Sequence, residues 1–140
     1  MINESQYWKE ELFRNARWLV DSLNKKRWTE RSFSKLEKSV MISAYAIRKL
    51  NEASKVPPEY MEKTISVGLF SRNKTVMDKL NNHDIQKHYN LADSIKTSLK
   101  IRELFNQIIH SYIFCPVFEG SNKLIGILIN SDNTRNKGVY

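Results

Sequence analysis

Two stretches of helical period followed by segments of period two, with a pair of prolines between them, limit the folds open to this chain. From Glu4 to Lys25, Trp8, Leu12, Ala16, Leu19 and Leu23 recur at spacings of three and four. That spacing places them along one side of a helix, and Val20 and Phe13 widen the stripe. "NKKRWTERS" breaks the pattern. Thr29 is a good N-cap for a second helix, and Ser34 with Glu37 offers a capping box slightly later. The second stripe is Phe33, Leu36, Val40, Ala44, Ile47 and Leu50. It must stop before "SKVPP", because Pro57 and Pro58 cannot continue a helix. The two helices are expected to form an antiparallel hairpin.

Beyond the prolines the period changes. "TISVGLF" alternates Ile65, Val67 and Leu69, the mark of a short strand. The polar run from Ser71 to Ser94 reads as turns with one short helix near Asp84 to Tyr89. "SIKTSLKI" alternates Ile95, Thr97, Leu99 and Ile101. It reads as a further strand or as the lead-in to a helix capped by Thr97 or Ser98. A third major helix is expected from about Leu99 to Tyr112, burying Ile101, Phe105, Ile108 and Tyr112 with Leu104 and Ile109 beside them. "IFCPVF", "EGSNK" and "LIGILIN" then read as strand, turn, strand, with Pro116 marking an edge or a bulge. Gly138 to Tyr140 is a candidate terminal strand. The expected fold class is α+β and helix-dominated: an N-terminal antiparallel helical hairpin, a third core helix and a C-terminal β-hairpin. Neither a repeat nor a linker divides the chain, so residues 1–140 are read as a single domain.

Composition narrows the function classes. At 140 residues, with 41% apolar and 27% charged side chains, the chain has ordinary globular composition. Cys115 is the single cysteine and cannot form an intramolecular disulfide. The start, "MINESQYWKEELF", carries acids where a secretory signal has a basic region and an apolar run. No apolar stretch approaches the roughly 20 residues of a membrane span. The expectation is a soluble, cytoplasmic protein without membrane contact. Lys and Arg total 23 against 15 Asp and Glu, a formal net charge of +8. That field favours RNA or an acidic protein as partner.

One segment carries possible chemistry. In "RELFNQIIHSYIF", Arg102, Asn106 and His110 fall four residues apart, so a helix would align them along its polar side. Glu103, Gln107 and Ser111 would complete that polar half. A histidine can move protons near neutral pH. An arginine can hold a phosphate, and an asparagine can orient the imidazole. The plainer reading is the wet side of an amphipathic helix.

"FNQIIHS" also resembles the core of the HEPN superfamily signature. Those are small, mostly helical, usually dimeric domains, and many are metal-independent ribonucleases of toxin–antitoxin and phage-defence systems. Their motif is an arginine, then a polar residue that is often Asn, three spacers and a histidine. Asn106 and His110 match the last two. The arginine position is Phe105 here, so Arg102, a turn earlier, or Arg48 on the second helix would have to substitute. The resemblance implies RNA as substrate, a homodimer, and no metal or other cofactor. The competing expectation is a non-catalytic protein-interaction or dimerisation domain, which Phe105 favours.

Lys25, Lys26, Arg27 and Trp28 join three cations to an aromatic ring, a recipe for binding single-stranded nucleic acid. The plain alternative is a basic turn after a helix, with Trp28 as a hydrophobic staple. His83, Asp84 and His88 do not share a helical face, so no metal site is expected. Cys115 lies in an apolar strand and reads as core. Asp132 and Arg135 read as a solvated turn. With four glycines there is no phosphate-binding loop.

Overall fold

The computed structural model describes residues 2–78 and 80–140. In chain order the elements are α1 (Ser5–Ser22), α2 (Glu30–Glu52), α3 (Pro58–Glu62), β1 (Thr64–Arg72), α4 (Ile85–His88), β2 (Tyr89–Lys100), α5 (Ile101–Ile109), β3 (Ser111–Glu119), β4 (Lys123–Ser131) and β5 (Gly138–Val139). The fold is α+β. The chain divides into two compact units, residues 1–62 with 116–127, and residues 63–115 with 128–140.

The first unit is built on α1 and α2. Thr29 caps α2 as expected, but its box partner is Ser32 rather than a later Ser34 and Glu37. The shift follows from geometry: only the N3 side chain reaches back to the N-cap amide, and N3 is Ser32. Trp28, just before the cap, stacks on Phe33 in the first turn at 5.5 Å between ring centroids. This is the staple that fixes how the chain enters a helix. Asn15 Nδ2 donates to Ser43 Oγ, and Lys35 Nζ lies 4.8 Å over the Trp18 ring. The earlier α1 residue, Asn15, meets the later α2 residue, Ser43, and the later one, Trp18, meets the earlier Lys35, as an antiparallel pair requires. Leu36, Ala44 and Leu50 of α2 are buried.

The α1 stripe is not buried as its period suggested. Leu12 and Leu19 are half-buried, whereas Phe13, Val20 and Leu23 are 65%, 62% and 49% exposed. The apolar arc of α1 is wider than the surface α2 presents to it.

In the second unit β1 pairs antiparallel with β2 on one side and β5 on the other, giving the order β2-β1-β5. Ile65 stands opposite Leu99, Val67 opposite Thr97 and Leu69 opposite Ile95. Each of these pairs shares one face of the pleat. Tyr140 exchanges two 2.9 Å backbone hydrogen bonds with Ile129, so the end of the chain also reaches β4. β3 and β4 form the expected hairpin. Met77, Tyr89, Ile113 and Val139 form the core, with Phe70, Tyr112, Cys115 and Leu128 packed around them.

The third helix differs most from expectation. It runs only from Ile101 to Ile109, and Tyr112 belongs to β3. Its N-cap is Lys100 rather than Thr97 or Ser98, because β2 continues through those residues; the Glu103 carboxylate accepts from the Lys100 N–H at 2.8 Å. Strand pairing takes over where the helical period alone would have continued.

Candidate functional site

α5 carries the candidate row. Arg102 stands exposed in the first turn, Asn106 is partly buried, and His110 is exposed at the C-cap. The His110 N–H donates to the Asn106 carbonyl at 3.0 Å, so the two residues do lie one turn apart. His110 has left helical geometry, with φ −105° and ψ 28°, and the next residue begins β3. The imidazole therefore sits where helix turns into strand. Phe105, at the position of the family's arginine, is half-buried.

Gln107, expected on the wet side, is buried. Its Oε1 accepts from the Ser131 N–H at 2.8 Å and from the Thr134 hydroxyl at 2.6 Å. The same turn holds Arg135, whose guanidinium lies 4.6 Å from the Tyr112 ring centre and whose Nε pairs with Asp132. Tyr89 donates from its hydroxyl to the Arg135 carbonyl at 3.0 Å and accepts from Asn130 Nδ2 at 2.8 Å. Burial pushes the Tyr89 phenol up from its ordinary value, partly offset by the Asn130 hydrogen bond. Arg72 donates to Asn136 Oδ1 and to the Thr75 carbonyl. Tyr89, Asn130 and Gln107 thus form a buried polar layer that local periodicity did not expose. The one signal in the sequence was an asparagine closing the apolar strand "LIGILIN".

Arg48 and the Lys25–Trp28 group belong to the first unit, α5 to the second. Arg48 Nε pairs with Glu52 Oε1 at 3.0 Å, and Lys49 Nζ with Glu52 Oε2 at 2.8 Å. Hydrogen bonds from Lys49 and then Arg48 hold the Glu52 carboxyl below its usual value. Trp28 is committed to structure: its Nε1 donates to the Asn122 carbonyl at 2.9 Å and its ring also packs edge-on against Phe118. Asn122 Nδ2 in turn donates to the Lys26 carbonyl at 2.7 Å. The basic segment is thereby tied to the turn between β3 and β4. Between α1 and α2 lies a groove of about 350 Å³ lined by Glu11, Asn15, Arg31, Lys35, Lys38 and Ser39. Its cations outnumber its single acid.

His88 is a core residue. Its Nε2 donates to the Asn81 carbonyl at 3.0 Å, and its Nδ1 shares a hydrogen bond with the Thr75 hydroxyl at 2.8 Å. His83 is exposed. Among the described residues, no group of three or more His, Cys, Asp or Glu is placed to hold a metal ion. Cys115 is half-buried, and burial pushes its thiol up from the ordinary value. Among the described residues no helix is long and apolar enough to cross a membrane.

No family model, no curated protein and no solved structure matches the chain.

Proposed function

We propose that the chain is a non-catalytic protein-interaction module whose working surface is the outer side of α1. The observation that carries this reading is the exposure of Phe13 and Val20 on α1 and of Leu23 at its C-cap, on one side. A contiguous apolar row of that kind marks a surface that another surface covers. The α5 row gives catalysis less support. Phe105 occupies the arginine position of the resembled family, and Arg48 is already paired with Glu52. A phosphate at Arg48 would have to compete with that carboxylate.

The deciding assay is incubation of the purified chain with structured and unstructured RNA in excess EDTA. Intact RNA is expected. Cleavage by the wild type that His110→Ala abolishes, with the fold unchanged by circular dichroism, overturns the reading.

A second reading is favoured by the net charge of +8 and by the one-turn spacing of Asn106 and His110. It is a HEPN-like, RNA-associated homodimer of the cytoplasm, possessing metal-independent ribonuclease activity. His110 would be acid and base, Asn106 would orient it, and Arg102 or Arg48 would hold the phosphate. Lys25, Lys26, Arg27 and Trp28 would add contacts to the RNA strand.

A further inference from the structure

We infer that the groove between α1 and α2 binds a dianionic phosphoryl group, with Arg31, Lys35 and Lys38 as its cations and the Ser39 hydroxyl at its floor. The inference does not rest on the interaction-module reading. Glu11 lines the groove, and Val20 is exposed nine residues later. At ~100° per residue that separation is half a circle of α1. The groove therefore lies on the flank turned away from the exposed apolar row.

The first ground is the set of donors. Arg31, Lys35 and Lys38 stand at i, i+4 and i+7 on α2 and line the groove together. That spacing keeps them within about 60° of arc and spreads their backbones over about 10 Å of the helix axis. Among the described residues, none of the three makes an ion pair. Lys35 Nζ lies 4.8 Å over the Trp18 ring, which steadies the ammonium without giving it a counter-charge.

The second ground is Ser39. It is 6% exposed and lines the groove, and its hydroxyl has no hydrogen-bond partner among the described residues. Hydroxyls buried to that degree normally have one. An oxyanion seated in the groove supplies the acceptor.

The third ground is charge. Three cations and one acid, Glu11, leave the lining at +2 (3 − 1). Antiparallel packing also sets that acid apart. Asn15 meets Ser43 and Trp18 meets Lys35, so Glu11, earlier on α1, stands level with Ile42 or beyond. Ile42 is about 16 Å along α2 from Arg31. A phosphate monoester carries a charge of about −2 and three strong acceptor oxygens. It matches both the charge and the number of cations. A single carboxylate, with one charge and two oxygens, leaves part of the set unmet. At about 350 Å³ the groove has room for the phosphoryl group and a small body attached to it.

Calorimetric titration of the full chain with adenosine 5′-monophosphate tests the site. Saturable binding with Kd below about 1 mM is expected. Arg31→Gln and Lys38→Gln should each weaken it about tenfold, and the pair should abolish it, with helicity unchanged. Ser39→Ala should weaken it severalfold, whereas Glu11→Gln should tighten it. Adenosine should not bind, because the affinity resides in the phosphoryl group. Parallel titrations with inorganic phosphate and with a 5′-phosphorylated RNA hexamer show whether that group is met free, on a small molecule or at a strand end. A wild type that binds none of the three overturns the proposal, as does binding indifferent to the paired Arg31 and Lys38 substitutions. So does a 5′-hydroxyl hexamer that binds as tightly as the phosphorylated one, or a polyglutamate peptide that displaces the nucleotide at equal concentration.

Discussion

Asn130 Nδ2 donates to the Tyr89 hydroxyl at 2.8 Å, and to the Gly138 carbonyl at 3.1 Å, in a place where both side chains are out of contact with water. The amide therefore ties the start of β2 to the end of the chain. Asn130 Oδ1 has no hydrogen-bond partner among the described residues. A buried polar group with one side unmet makes the rest of its bonding expensive to lose.

Tyr89→Phe removes the acceptor for Asn130 and the donor for the Arg135 carbonyl. We expect a loss of about 1–2 kcal/mol in urea unfolding. The variant should also change the response to alkali. Burial raises the Tyr89 phenol above its ordinary 10.0, so the folded chain keeps this proton longer than the unfolded chain does. The contribution is intact below pH 10 and is lost as pH rises toward the higher folded value. The wild-type urea midpoint should fall as pH rises above the ordinary 10.0 of the phenol, and Tyr89→Phe should fall less.

Gln107→Leu takes the acceptor from the Ser131 N–H and the Thr134 hydroxyl. The expected cost is about 1–3 kcal/mol, measured by chemical denaturation, because buried donors are left less satisfied. Gln107→Glu, which keeps an acceptor oxygen there, should cost less than Gln107→Leu at low pH, where the carboxyl is neutral like the amide, because ionising it would bury a charge.

Gln107 also shows where sequence reading fails. Its partners stand 24 and 27 residues further on, so nothing within the helix reveals that this polar side chain is inside. The end of α5 was hidden for a related reason. Helical period persists through Tyr112, but strand pairing claims the chain from Ser111. The cap at Thr29, the alternation of "TISVGLF" and the β3–β4 turn were legible because each is set by neighbours within a few residues. For α1 the period gave the apolar arc correctly and said nothing about how much of it α2 covers. In the candidate row, the one-turn spacing of Asn106 and His110 was readable, whereas the departure of His110 from the helix was not.

Trp28 joins two signals that the sequence kept separate, a staple and an aromatic beside cations. Trp28→Phe should keep the packing on Phe33 and Phe118 while losing the bond to the Asn122 carbonyl, at about 1 kcal/mol. Trp28→Ala removes the ring as well and should cost about 2–4 kcal/mol. Thermal unfolding of the two variants separates the contributions.

Ser54 follows α2 with φ 56°, a left-handed conformation that side chains resist. Its N–H bonds the Asn51 carbonyl at 2.9 Å, and the Lys55 N–H bonds the Leu50 carbonyl at 2.8 Å. That pair of bonds is a Schellman ending, normally closed by glycine. Ser54→Gly should stabilise the chain by about 0.5–1 kcal/mol, seen as a higher urea midpoint with an unchanged slope.

Gly138 has the opposite requirement. A Cβ there would clash with the Phe70 carbonyl oxygen and lie 2.8 Å from Leu69 Cδ1. The backbone oxygen cannot swing aside, because Phe70 is paired with Val139 in the β1–β5 ladder. Gly138→Ala should therefore force β5 away from β1. The loss of pairing adds to overpacking, giving about 2–4 kcal/mol of destabilisation. Gly126→Ala is the control, because a Cβ at that position meets nothing within 4 Å. It should be neutral or slightly stabilising, since a strand glycine loses more backbone freedom on folding than alanine does. Hydrogen exchange should separate the two: Gly138→Ala should deprotect the Tyr140 amide, which bonds the Ile129 carbonyl, and Gly126→Ala should leave it protected.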